Sequence, residues 1–153
     1  MSKYRYEIVK RIPKQKTIQE LLVLYKTLFD DAKLAFFVDR IHAKEDLVTI
    51  LCYHDDLLVG FKLGYRYNDT TFYSWVGGVL DEHRKQGIAQ KLMELQHDCA
   101  LKKRYEKVRT KSMNRFKPMI ILNLKNGFDI VSVYTNESEQ TKIIFEKILL
   151  NLN

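Results

Sequence analysis

The order of predicted elements, β-α-α-β-β-β-α-β-α-β-β, marks this sequence as an α/β fold. Three observations carry that order. Thr71 to Leu80 is rich in β-branched and aromatic residues, and a long amphipathic pattern follows with Ile88, Leu92, Leu95 and Cys99 on one face. Two apolar runs, Leu47 to Tyr53 and Leu57 to Tyr67, flank the hairpin signal His54-Asp55-Asp56. Pro118 and Gly127 bracket a short apolar stretch, as first-turn proline and C′ glycine of a helix.

In chain order, Tyr4 to Ile12 alternates and is expected as the first strand, closed by Pro13. Thr17 and Glu20 have the spacing of a capping box. The helix they would open has Ile18, Leu21, Leu22, Tyr25, Leu28 and Phe29 as its apolar face. Asp30-Asp31 interrupts, and a second helix is expected over Phe36 to Leu47. Asn68-Asp69 forms the turn after the hairpin, and Thr71 to Leu80 completes a three-stranded meander. Gly77-Gly78 inside that strand signals a bulge or a close backbone approach. The long helix is expected over Gly87 to Tyr105. A strand over Lys107 to Met113 and the Pro118–Gly127 helix follow it. Then come a strand over Phe128 to Tyr134, a turn at Asn136 to Gln140 and a last strand over Lys142 to Leu149. No repeat, low-complexity tract or linker interrupts the pattern, so residues 1–153 are expected to form a single domain.

Composition bounds the function. Hydrophobic residues make up 46% of the chain, enough for a sizeable core. No apolar run approaches the roughly 20 residues of a membrane span. Met1 to Arg11 is basic and polar rather than a signal region, so a cytoplasmic, membrane-free protein is expected. Cys52 and Cys99 form no C-x-x-C pair and read as small buried hydrophobes. The net charge of +7 suits nucleic acid, an acidic membrane surface or a phosphorylated cofactor. Its densest cluster, Lys102-Lys103-Arg104, falls near a helix end where cations suit the dipole, with Lys107, Arg109 and Lys111 beyond it. The basic residues are otherwise scattered and lack a base-reading pattern, so no specific nucleic-acid partner is expected.

The sharpest motif is Arg84-Lys85-Gln86-Gly87-Ile88-Ala89, at a strand-to-helix junction. Glycine there allows positive φ and a close approach by a ligand. The N–H groups of the first helical turn, with the helix dipole, form an anion site suited to a diphosphate. Read physically, the turn is either a phosphate site or a tight turn with solvated basic residues. Its wider setting, Val79-Leu80-Asp81-Glu82-His83-Arg84-Lys85-Gln86-Gly87-Ile88-Ala89, resembles motif A of the GNAT superfamily of N-acetyltransferases, Arg/Gln-x-x-Gly-x-Gly/Ala. Asn123-Leu124-Lys125-Asn126-Gly127-Phe128 resembles that superfamily's helix-end Tyr-x-x-x-Gly-Phe, with Asn123 in place of the tyrosine. The element order resembles the GNAT order over nearly the whole chain.

The resemblance implies a mixed, twisted sheet with helices on both sides and acetyl-CoA as co-substrate. The backbone N–H groups around Val79 and Leu80 would bind the pantetheine arm and the acetyl oxygen. Arg84, Lys85, Gln86, Gly87, Ile88, Ala89 and Gln90 would cradle the diphosphate. Asn114 is carried over as the asparagine after the next strand, out of register by two residues because ungapped counting puts Phe116 there. The acceptor pocket would draw on Phe29, Phe36, Tyr73 and Trp75. The acceptor is expected to be a small-molecule or peptide amine, and a homodimer is compatible with the sequence.

No catalytic side chain is assigned. Asn123 has no titratable proton for the general-acid role of the family's tyrosine. Asp81 and Glu82 read as solvated. Tyr73, Trp75 and Tyr134 read equally as pocket wall or packing, and alternation puts Ser74 on the other face from Tyr73 and Trp75. His42, His54, His83 and His97 lack metal-ligand spacing, so no metal is expected. The expected activity is acetyl transfer to a primary amine by direct attack. Its rivals are a non-catalytic acyl-CoA-binding or sensing module and a basic nucleic-acid-binding domain.

Overall fold

A computed structural model describes residues 3–149 of the chain; the outermost residues of the expected 1–153 domain lie outside that range. The elements are β1 (Tyr4–Val9), α1 (Gln15–Leu28), α2 (Leu34–Ala43), β2 (Val48–His54), β3 (Leu57–Arg66), β4 (Thr71–Val79), a short 3₁₀ turn (Asp81–His83), α3 (Ile88–Lys102), β5 (Lys107–Met113), α4 (Lys117–Lys125), β6 (Asp129–Thr135) and β7 (Thr141–Ile148). The strands form a seven-stranded mixed sheet in the order β1-β2-β3-β4-β5-β7-β6. The element order is the expected one. No described helix is long and apolar enough to cross a membrane.

Several boundaries move, each for a local reason. The first strand stops at Val9 rather than Ile12, which is 46% exposed and precedes a proline that cannot donate to a ladder. The capping box does not form. α1 starts two residues before Thr17, with Lys14 as its cap and no side-chain capping bond; the Lys14 carbonyl accepts the Ile18 N–H at 3.0 Å. Its buried residues are Ile18, Leu21 and Leu24, so Leu24 and not Leu22 completes the core face. The second helix ends at Ala43, because Asp46 takes φ 57 and turns the chain into β2. α3 ends at Lys102, where Arg104 takes φ 71. The Arg104 N–H bonds Leu101 O at 2.9 Å and the Tyr105 N–H bonds Ala100 O at 3.1 Å, closing a Schellman motif without glycine. α4 ends the same way with Gly127 at φ 87, as its sequence predicts, and Phe128 N–H bonds Asn123 O at 3.1 Å.

Contacts group the chain into two compact units, Met1–Arg66 with Val76–Gln96, and Tyr67–Trp75 with His97–Asn153. In the first, β1, β2 and β3 form an antiparallel meander, with Tyr4 opposite His54 and Val48 opposite Gly64. One face of β3 meets α2, where the Phe37 ring stands edge-on to Phe61 at 6.4 Å. The other meets α3, where Ile88 and Leu92 fill the space a Cβ on Gly60 would take. In the second unit, β4 pairs with β5 in parallel from Thr71↔Lys107 to Ser74↔Thr110, and β7 pairs antiparallel with both β5 and β6. Phe72, Val108 and Phe145 are fully buried at its core.

Candidate functional site

The first unit holds a built turn at the head of α3. Leu80 leads into the 3₁₀ turn, and its carbonyl accepts the His83 N–H at 2.9 Å. Lys85 and Gly87 then take φ 62 and φ 77 before the helix starts at Ile88. The first intrahelical bond in reach is Lys91 N–H to Gly87 O, 3.0 Å. The N–H groups of Ile88 and Ala89 therefore have no carbonyl one turn behind them, as at every helix start. A Cβ built on Gly87 would meet no protein atom within 4 Å. Packing does not require glycine there; the positive φ and the open space outside it do. The left-handed Lys85 carries no sequence signal and costs roughly 1 kcal/mol in a non-glycine residue.

Arg84 is tied back rather than extended. Its Nε donates to Val79 O at 3.3 Å, and its Nη2 stands 3.1 Å from an Asp81 carboxylate oxygen. Asp81, expected as simply solvated, is thus an exposed partner of Arg84, and Glu82 stays exposed. The outward-facing cation of the turn is Lys85.

The two backbone donors assigned to the thioester are not equivalent. The Leu80 N–H is already bonded to Val59 O on β3, at 2.8 Å. That corrects the expectation for Leu80. Neighbouring residues of an extended chain point their N–H groups to opposite sides, so the Val79 N–H faces away from β3. A second observation follows. Ser74 O accepts the Thr110 hydroxyl at 2.8 Å, so Ser74 turns its carbonyl toward β5. Leu80 follows Ser74 at an even offset in the sequence, yet the two face opposite strands. Strict alternation cannot do this, so the stretch between them carries a one-residue slip, the signature of a bulge. Gly77-Gly78 lies in that stretch. A Cβ on Gly77 would come to 2.8 Å from Phe61 O, and one on Gly78 to 2.6 Å from Leu28 Cδ1. The glycines are thus a close approach as well, and the second brings the end of α1, with Phe29 as its C-cap, onto β4.

A ring cluster braces the 3₁₀ turn. Tyr4 Oη and His83 Nδ1 are hydrogen-bonded at 2.9 Å across 79 residues of sequence. Ring centroids of Tyr4–His54, Tyr4–His83 and His54–His83 stand 5.4, 5.6 and 4.9 Å apart. These contacts fasten the turn to the first residue of β1 and the last of β2.

The remaining candidates divide by unit. Phe29 is half-buried, 5.1 Å from the Tyr25 ring, while Phe36 is 70% exposed beneath Lys33. In the second unit Tyr73 and Trp75 are half-buried on one face of β4 and Ser74 is buried on the other, as alternation requires. Asn114 is exposed in the β5–α4 turn, lining a cavity of about 320 Å³ with Met113, Arg115, Gln140 and Thr141. Asn123 is 2% exposed, inside α4's packed face rather than in a solvent-lined cleft. Sequence reading missed Lys62, a buried lysine on β3 whose ammonium burial pushes down to about 8. A lysine in an alternating strand reads as a solvent-facing residue, and nothing local gives its burial away.

The family model for the acetyltransferase (GNAT) domain matches residues 19–106, more than half of the chain. The chain belongs to the GNAT acetyltransferase family, and it is an acyltransferase by that membership. No curated protein matches the sequence. Solved structures share the fold at low identity. Ard1 from Thermoplasma volcanium is 17% identical with a TM-score of 0.81, over 95% of this chain and 99% of that one. The ribosomal-protein-S18-alanine N-acetyltransferase from Escherichia coli is 12% identical with a TM-score of 0.79, over 97% of each chain. Arabidopsis thaliana NAA60, solved in complex with acetyl-CoA, is 16% identical with a TM-score of 0.75, over 95% of this chain and 98% of that one.

Proposed function

We propose that this protein, as one domain over its whole length, moves the acetyl group of acetyl-CoA to a primary amine without an acyl-enzyme intermediate. The observation that carries the reading is the Lys85–Gly87 turn, two left-handed residues at a helix start with open space over the glycine. Such a turn holds a diphosphate on backbone N–H groups, with Lys85 adding charge. The thioester arm would run along the edge of Val76–Val79 turned away from β3, its amides pairing with strand backbone.

In the reaction, the amine lone pair attacks the thioester carbonyl carbon. A C–N bond forms and the carbonyl oxygen takes negative charge, which the Val79 N–H would stabilise as donor. Collapse breaks the C–S bond and releases CoA thiolate. The ammonium proton leaves to solvent or a base, and the thiolate takes up a proton. Asn123 cannot supply that proton, so on this reading the thiolate leaves unassisted or is protonated by water. Orientation of amine and thioester then supplies most of the rate.

The buried Asn123 also favours a second reading, an acyl-CoA-binding module without turnover. A thiol-reactive assay for released CoA over a panel of amines separates the two. Acceptor-dependent CoA release supports the enzyme; tight acetyl-CoA binding with no release from any amine supports the module. A cytoplasmic location belongs to the same proposal.

A further inference from the structure

The first unit contains a primary amine that the reaction above does not use. Lys62 stands in β3 opposite Ile50 of β2 and is 7% exposed. Among the described residues it makes no hydrogen bond and no ion pair. A lone charge in such a place costs stability, and a packing role alone calls for an apolar side chain. Burial, the one cause acting on it, lowers the ammonium to about 8. About a tenth of the chains then carry it as a neutral amine at pH 7, against fewer than about one in a thousand for an ordinary lysine.

Its position is specific. Gly77 has no side chain, and the Lys62 stem lies where one would stand, with Cγ 3.2 Å and Cα 3.4 Å from the place of a Gly77 Cβ. A stem of four methylenes is longer than the about 4.8 Å between neighbouring strands, so an amine rooted on β3 can reach across β4 where that strand is bare. Gly77 lies two residues before Val79, within the stretch proposed to hold the thioester arm. Lys62, Gly77 and Val79 all belong to the first unit.

The surrounding groups leave the amine uncompensated. Cys52 of β2 and Tyr6 of β1 pair in register with Gly60, on the face that Lys62 shares. Burial raises the Cys52 thiol and the Tyr6 phenol, so both are neutral where Lys62 titrates. On α3, Ile88 and Leu92 cover this face at Gly60, while Lys91 and Glu94 are exposed. β4 meets the stem with Gly77, which carries no charge.

We propose that Lys62 is a self-acetylation site, taking the acetyl group of acetyl-CoA bound at the head of α3 in the same chain. This rests on the acetyltransferase reading and adds a modification site to it. The Nζ lone pair of the neutral amine attacks the thioester carbonyl carbon. A C–N bond forms, the C–S bond breaks and its electron pair leaves with the CoA thiolate. The nitrogen sheds one proton and the thiolate takes one up, so the products are an amide and free CoA. The modified chain loses its buried charge.

The test needs no external acceptor. The full chain is incubated with acetyl-CoA at several pH values, with and without desulfo-CoA, which has the phosphates but no thiol. Intact mass and peptide mapping follow each lysine; Lys62→Met is the control. The proposal expects one fast acetylation, at Lys62, at least about tenfold faster at pH 8 than at any exposed lysine. Its rate should be independent of protein concentration, fall with desulfo-CoA and level off above about pH 8, whereas exposed lysines keep gaining rate. The methionine variant should lose this acetylation alone. Labelling of Lys62 no faster than that of exposed lysines would overturn the proposal. So would labelling that desulfo-CoA does not suppress, or that rises with protein concentration. Acetyl-CoA binding in calorimetry with Lys62 unmodified would sink the self-acetylation alone. Absence of acetyl-CoA binding would sink the function beneath it.

Discussion

The Leu80 N–H donates to the Val59 carbonyl at 2.8 Å, and that one bond holds the amide within the sheet. With Leu80 turned into the β3 ladder, its neighbour Val79 is turned out. The same stretch of β4 carries the register slip and both close-packed glycines, so on the proposed reading the donor to the thioester is set by sheet geometry and by no side chain.

Gly87→Val should weaken acetyl-CoA binding by about tenfold or more while the fold survives. The φ of 77 makes any β-branched residue strained, but the added atoms meet no protein. Titration calorimetry with thermal melts reads both effects. An undiminished affinity in a folded variant would remove Gly87 from the site.

Tyr4→Phe keeps the ring and deletes the hydroxyl that reaches His83 at 2.9 Å. One such hydrogen bond contributes about 1 kcal/mol, so the KM for acetyl-CoA should rise about threefold to fivefold with kcat nearly unchanged. A fall in kcat with unaltered KM would show that bracing the 3₁₀ turn does not bear on the cofactor.

Lys62 gives the chain a pH signature. Its folded pKa, about 8, lies below the ordinary 10.5 because burial disfavours the charged form. Between those values the unfolded chain binds more protons, so stability rises with pH through that window. At pH 7 the lysine is charged in both states and its buried charge costs the fold about 3 kcal/mol. Lys62→Met should therefore be more stable at pH 7, and its advantage should shrink by pH 10. Urea unfolding of both proteins at the two pH values measures this; a less stable methionine variant at pH 7 would contradict it.

Asn123→Ala should change turnover by less than about tenfold, below the usual effect of losing a general acid. Asn123→Tyr would have to fit a phenol where the residue is 2% exposed, so a loss of about 1–3 kcal/mol in stability is expected. A hundredfold loss of kcat in a stable Ala variant, with acetyl-CoA binding intact, would make Asn123 catalytic.

The sequence showed the fold where the signals were local. β5 spans Lys107–Met113 as read, because a sharp helix end and a proline-led helix bracket it. α1 and α2 were displaced at their ends, since Lys14 and Asp46 act through backbone geometry that residue type does not announce. The glycine turn was equally legible, because glycine at a strand–helix junction has a physical meaning. The rest of the site depends on long-range contacts. The tie of Arg84 to Val79, the Tyr4–His83 bond and the engagement of Leu80 by Val59 join segments that no periodicity connects.

The most direct test is calorimetric titration of acetyl-CoA, and of an acetyl-pantetheine thioester lacking the diphosphate, into wild type and the Arg84→Ala, Lys85→Ala double variant. The account predicts saturable acetyl-CoA binding to wild type that the double variant weakens about tenfold, with little effect on the phosphate-free thioester. Failure of wild type to bind acetyl-CoA near 1 mM, or equal losses for both ligands, would contradict a diphosphate seat at the head of α3.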